Sequence, residues 1–175
     1  MWGRSRPRDP HTEVIVSAST PLGLVFRALG AVLVLSSVWP ARAVASDGPE
    51  ARMGELLETR EEALIGIRRD LHRHPELSGQ EERTAGVVAE HLRSLGLRVE
   101  TGVGGHGVVG VLEGGLPGPV VAYRADMDAI ATDARDPVPF ASETPGVRHI
   151  CGHDVHTTVG LALAEALVSV REEIP

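Results

Sequence analysis

Eight residues, His149-Ile150-Cys151-Gly152-His153-Asp154-Val155-His156, constrain this chain more than any other stretch. They gather three histidines, an aspartate and the sole cysteine directly ahead of an apolar run, Val159 to Val170, that reads as interior. Cys151 and His153 stand two apart, so on an extended backbone their side chains leave the same face, and Gly152 lets the chain come close to whatever they hold. A thiolate with a neutral imidazole is a donor pair that zinc and its borderline-soft neighbours prefer. Asp154 is placed either to cap the following helix or to orient a ligand. A polar loop with a buried cysteine and surface histidines would carry the same letters, so the triplet alone leaves both readings open.

Composition narrows the class. Of 175 residues only 3% are aromatic while 42% are hydrophobic, so a core must be built from Val, Leu, Ile and Ala, which suits an α/β fold. Seventeen basic against 24 acidic residues give a net charge of −7 without a basic stripe, which argues against a nucleic-acid partner. A single cysteine rules out an internal disulfide framework, and metal ligation gives a lone thiol in an exported protein a reason to be there.

Export is itself read from the start of the chain. Residues 1–20 are polar and Arg-rich without periodicity and are expected to be disordered. Ala28 to Trp39 is apolar but shorter than the ~20 residues of a membrane span, and Ala43-Val44-Ala45 offers small residues to a signal peptidase. Residues 1–45 are therefore expected to be an n-region plus a signal peptide cut after Ala45, sending the mature chain to the periplasm or outside the cell. An uncleaved N-terminal membrane anchor is the alternative.

From residue 46 the pattern is globular. Ser46 or Asp47 is expected to cap a helix with Pro49 and Glu50 in its first turn and an apolar face at Met53, Leu56, Leu57, Leu64, Ile67 and Leu71, ending before Pro75. His72 and His74, at that helix end, read as capping or satisfied histidines. Ser78-Gly79-Gln80-Glu81 reads as a capping box for a second helix with a stripe at Ala85, Val88, Leu92 and Leu95, stopped by Gly96. Strands follow at Leu97–Thr101 and Val108–Leu112 around a Gly-rich turn holding His106, and Val120–Ala125 reads as a central strand buried on both faces. Residues 131–148 read as a surface loop, and a last helix as running from about Asp154 to Arg171.

Several of these segments resemble one family as a linked set. Leu71-His72-Arg73-His74-Pro75-Glu76-Leu77, Glu81 to Thr84, Gly118-Pro119, Arg124-Ala125-Asp126-Met127-Asp128-Ala129, Pro139-Phe140-Ala141-Ser142 and Cys151-Gly152-His153-Asp154 occur in an order and spacing similar to the start of the M20 metallo-aminoacylases and carboxypeptidases. The branch it resembles most includes hippurate hydrolases and auxin-conjugate hydrolases, and the likeness runs from about Leu64 to Leu167.

The resemblance implies an α/β catalytic domain of zinc-peptidase type, with a central mixed sheet flanked by helices, of which residues 46–175 would be the N-terminal part. It implies two divalent ions per intact site (zinc, manganese or cobalt), hydrolysis of an amide bond in an N-acyl amino acid or peptide-like small molecule, and a homodimer in the intact form. Carried over, Cys151 and His153 match metal ligands, and Asp126 matches the carboxylate supporting the site from a strand end. Asp154 and His156 stand as groups that could hold a ligand from behind. Asp128 reads as structural, and Arg124 stands where many members have a histidine ligand, as in the amidohydrolase branch. The general base, a glutamate of a Glu-Glu pair further along, has no match in this chain, so the chain is expected to be truncated. The alternative is a non-catalytic remnant that binds a divalent metal loosely, and a cysteine-nucleophile hydrolase is a third reading.

Overall fold

The structure, a computed structural model, describes residues 48–175, so the segments expected as an n-region and a signal peptide, and the expected Ser46 or Asp47 cap, lie outside the described residues. Within them the fold is mixed α/β, as expected. Helix α1 spans Pro49–Arg73, α2 Glu82–Ser94 and α3 His153–Ser169, and a 3-10 turn follows at Arg171–Glu173. Strands β1 (Arg98–Val103) and β2 (Gly107–Val111) form one antiparallel pair, and β3 (Ile130–Ala131) and β4 (Val147–Arg148) another. No helix among the described residues is long and apolar enough to cross a membrane.

Helix α1 begins on Gly48 with Pro49 at its first position, where the missing N–H costs nothing, and Glu50 faces the positive end of the dipole. It ends at Arg73 because His74 precedes Pro75 and leaves the helical region. Helix α2 starts at Glu82, but the expected capping box does not form. The carboxylate of Glu76, upstream in the loop, instead accepts from the amides of Arg83 (2.9 Å) and Thr84 (2.7 Å), the two donors a cap normally satisfies. At its other end Gly96 adopts φ 81°, and paired bonds from Gly96 N to Arg93 O (2.9 Å) and Leu97 N to Leu92 O (3.2 Å) close the helix in a Schellman turn.

That turn feeds β1 straight back over α2. Val88, Leu92 and Leu161 form the buried core, with Ile67, Leu97, Val99, Val108, Met127 and Ala164 packed around it. Strand β2 approaches so closely that a Cβ on Gly110 would come within 2.9 Å of Leu92 Cδ1, so glycine there sets the spacing between hairpin and helix.

Helices α1 and α3 pack against each other through charged side chains. Arg52 pairs with Glu173, Arg60 with Glu165 and Arg68 with Asp154, so partners ascend along α1 while descending from the 3-10 turn through α3. The two helices are therefore antiparallel. The apolar run of α3 is not wholly interior, because this polar stripe occupies part of its buried face and leaves Val155 and Val159 exposed.

Residues 120–125, expected as a buried central strand, form no ladder. Val120 is 99% and Val121 87% exposed. Apolar, β-branched residues supply the propensity, but a strand also needs neighbours to accept its backbone bonds, and among the described residues none lies alongside. The loop 131–148 departs from expectation in the other direction. Its ends pair as β3 and β4, and Asp136, Phe140 and Ser142 turn inward, half-buried, rather than lying on the surface.

Candidate metal centre

The position of α3 is fixed by its first turn. Gly152 adopts φ 81° and its carbonyl accepts from His156 N at 2.9 Å, so the chain turns sharply between Cys151 and His153 and the helix begins at His153 itself. The two residues therefore do not lie on one face of an extended strand as the spacing suggested. His153, His156 and Thr157, at helical spacing, share a face that grips residues 126–128.

His153 Nδ1 stands 2.9 Å from the carbonyl oxygen of Asp128 and 2.9 Å from its Oδ1. Both neighbours are acceptors, so Nδ1 carries the proton and the neutral ring presents its lone pair at Nε2. The carboxylate that holds the imidazole is thus Asp128, which the sequence suggested was structural, and not Asp126. Asp126 instead pairs with Arg124 at 2.7 Å. Its backbone is held on both sides, by Thr157 Oγ1 donating to its carbonyl (3.0 Å) and by its own amide donating to His156 Nδ1 (3.3 Å). His156 packs edge-on to Tyr123 and anchors this segment to α3, with no bond to His153 or Cys151. Two aspartates two residues apart look alike in sequence, and only the register of α3 decides which one meets the imidazole.

Cys151 is exposed and makes no hydrogen bond among the described residues. It does not bond to a histidine, so the thiol and imidazole of a cysteine hydrolase are not paired here.

The opposite face of the same turn is buried. Asp154, second in the helix, does not cap it. Its fully buried carboxylate meets Arg68 Nε at 2.7 Å, an ion pair without hydrogen-bond alignment, and His72 Nδ1 at 2.8 Å. The other ring nitrogen of His72 stands 3.1 Å from Asp136 Oδ1. His72 is thus a satisfied, buried histidine, as its helix-end position suggested, but its partners are long-range side chains. Burial works against the Asp136 carboxylate, yet the Ser142 amide, the His72 ring and the Arg148 charge together hold its pKa below the ordinary value.

His149 was not singled out by sequence reasoning, which had only a histidine in a polar loop. The structure leaves it 6% exposed with neither ring nitrogen hydrogen-bonded, its ring centroid 6.3 Å from that of His72. Burial lowers its pKa, against the pull of Asp154 and with the push of His72, so the neutral ring is favoured.

For a divalent metal, the chemistry of the donors fits. Cys151 supplies an accessible thiol and His153 an Nε2 whose tautomer is fixed from behind by a carboxylate, the arrangement usual for metal-bound imidazole. Among the described residues no group of three or more His, Cys, Asp or Glu side chains is arranged to hold an ion.

Comparison with known proteins gives a consistent answer. Residues 122–175 match the sequence model of peptidase family M20/M25/M40. Thermostable carboxypeptidase 2 of Saccharolobus solfataricus is 47% identical over 65% of this chain and 29% of its own length. N-acyl-L-amino acid amidohydrolase of Geobacillus stearothermophilus is 46% identical over 63% of this chain and 30% of its own. The crystal structure of Bacillus subtilis YxeP protein, a dinuclear metal binding peptidase from the M20 family, superposes with a TM-score of 0.63 at 37% identity, covering 67% of this chain and 33% of that one. The chain spans about a third of the length of these relatives.

Proposed function

We propose, from the premise that this chain belongs to peptidase family M20/M25/M40, that it serves metal-dependent hydrolysis of an amide bond in N-acyl amino acids or similar small molecules. The observation that carries the reading is the His153 ring, with Nδ1 held by Asp128 and Nε2 left as a donor two residues from an accessible cysteine. Cys151 and His153 would hold one of two divalent ions, zinc, manganese or cobalt. Held there, such an ion would supply polarisation of the amide carbonyl and a more acidic water. Within this chain Asp128 fixes the ligand tautomer, while His156 and Thr157 hold residues 126–128 against α3. An N-acyl amino acid as substrate class is supported by one relative, an N-acyl-L-amino acid amidohydrolase. A homodimer belongs to the same proposal.

A second reading is a non-catalytic chain that binds a divalent metal loosely, in keeping with there being no group of three or more His, Cys, Asp or Glu side chains arranged to hold an ion among the described residues. One assay separates the two. The purified 175-residue chain, loaded with zinc, manganese or cobalt, is offered a panel of N-acyl amino acids with and without chelator. Turnover that the chelator abolishes supports the hydrolase. Metal binding without turnover supports the second reading, and turnover that survives chelation overturns both.

Export is part of the proposal through Ala28 to Trp39 and the Ala43-Val44-Ala45 site. N-terminal sequencing of the exported fraction should return Ser46. Recovery of the complete chain from the cytosol would overturn it, and the complete chain in the membrane would support an anchor instead.

A further inference from the structure

We propose, resting on the metal reading above, that His72 is the positioning residue of the ligand-bearing turn: by spanning Asp154 on α3 and Asp136 in the preceding loop, it fixes the direction from which Cys151 and His153 meet a divalent cation. Asp136 precedes the 149–153 stretch in sequence and Asp154 follows it, so one ring on α1 holds the chain on both sides of the ligands. The His72 side chain is 8% exposed, and Phe140 packs edge-on against it with ring centroids 5.3 Å apart, so the ring has little freedom to turn away from either carboxylate.

The end of α1 reinforces the brace through its backbone. Arg73 O accepts from Glu143 N at 2.8 Å, tying down the loop that carries Asp136. Glu76 O accepts from Ala129 N at 2.7 Å, next to the Asp128 that supports His153. Both the loop before the ligands and the carboxylate behind His153 are therefore referenced to residues 72–76. Groups that orient metal ligands without touching the metal typically change affinity by ~10–100-fold when removed.

A neutral amide cannot replace the imidazole. Asparagine places its NH2 near the position of Nδ1 and glutamine near that of Nε2, so each keeps at most one of the two carboxylate contacts. The test uses the 175-residue chain with His72→Asn, His72→Gln and Asp136→Asn, the last leaving α1 intact should the His72 variants fail to fold. Glu165→Gln serves as control, since it breaks a different α1–α3 contact away from the turn. Two quantities are read: Co2+ affinity, followed through the cobalt–thiolate charge-transfer absorption, and hydrogen exchange at the His156 and Thr157 amides of the metal-free chain.

The His72 and Asp136 variants should weaken Co2+ binding by about tenfold or more and speed exchange in the first turn of α3 more than Glu165→Gln does, while Glu165→Gln leaves Co2+ affinity at its wild-type value. If the His72 and Asp136 variants show wild-type exchange and affinity, the positioning role is overturned and the metal reading stands. If wild-type chain shows no thiolate band yet exchange rises more in the His72 and Asp136 variants than in Glu165→Gln, the metal reading fails and His72 remains the brace of the turn.

Discussion

The Nδ1 of His153 lies 2.9 Å from two oxygens of the same residue, the carbonyl and the carboxylate of Asp128. The two acceptors do different work. Either is enough to hold the proton on Nδ1, but only the carboxylate adds negative charge behind the ring, which strengthens Nε2 as a metal ligand. Asp128→Asn should therefore preserve the tautomer and lose Zn2+ affinity by ~10-fold, with Asp128→Ala losing more, towards ~100-fold. Competition titration against a chromophoric chelator measures this. Wild-type affinity in both variants would remove Asp128 from the site.

Glu76 caps α2 from outside the helix, accepting from the Arg83 and Thr84 amides. Glu76→Ala should cost about 1–2 kcal/mol, the usual range for losing a helix cap. Glu76→Gln, which keeps one acceptor oxygen, should cost less. Urea unfolding followed by far-UV circular dichroism distinguishes the three chains. Equal midpoints would mean that water caps α2 as well as the carboxylate does.

These two sites show where sequence reasoning reached and where it stopped. Local patterns were legible: the α2 stripe at Ala85, Val88 and Leu92 is buried, Gly96 stops the helix with a left-handed residue, and the hairpin turns around His106. Each depends on neighbours within one or two turns of chain. The Glu76 cap was missed because its acceptor lies before the turn, where Ser78 and Glu81 had the better-known spacing. The choice between Asp126 and Asp128 and the burial of His149 depend on how α3 sits against segments far away in sequence, which no local pattern encodes. Residues 120–125 failed as a strand for a related reason, since propensity cannot supply the neighbouring strand.

Cys151 is exposed and unbonded among the described residues, so in the metal-free chain it should react readily with a thiol reagent. Zn2+ should slow that reaction, and chelator should restore it. Cys151→Ser should weaken Zn2+ binding far more than His106→Ala, because a hydroxyl is a poor zinc ligand and His106 lies in the hairpin turn. Thiol reactivity indifferent to Zn2+, or equal titrations for the two variants, would show that Cys151 does not ligate.

Glu165 predicts how stability responds to acid. Its carboxylate, 3% exposed on α3, accepts from Arg60 Nε at 2.8 Å and Nη2 at 3.0 Å, and His91 Nε2 lies 3.0 Å away without hydrogen-bond alignment. The Arg60 hydrogen bonds hold the Glu165 pKa below its ordinary value of 4.5, with burial opposing and the Arg60 and His91 charges assisting. In the unfolded chain the group titrates near that ordinary value, so on acidification the unfolded state takes up the proton first. The stabilisation is thus complete above about pH 4.5 and fades as pH falls through the depressed folded value. Asp136, lowered from 3.8, acts in the same direction further into acid. His149, lowered from 6.5 by burial, begins to destabilise at higher pH, so the acid limb should open before either carboxylate titrates. Glu165→Gln should lower stability at pH 7 by about 1.5–3 kcal/mol at most, the range for hydrogen bonds to a charged group, because the half-exposed Arg60 loses its anion. Below pH 4.5 the loss should shrink, since wild type forfeits the same interaction there. Urea midpoints for both chains from pH 7 to pH 3 test this by their difference. A gap that stays constant across the range would show that the Glu165 charge contributes nothing to the packing of α1 on α3.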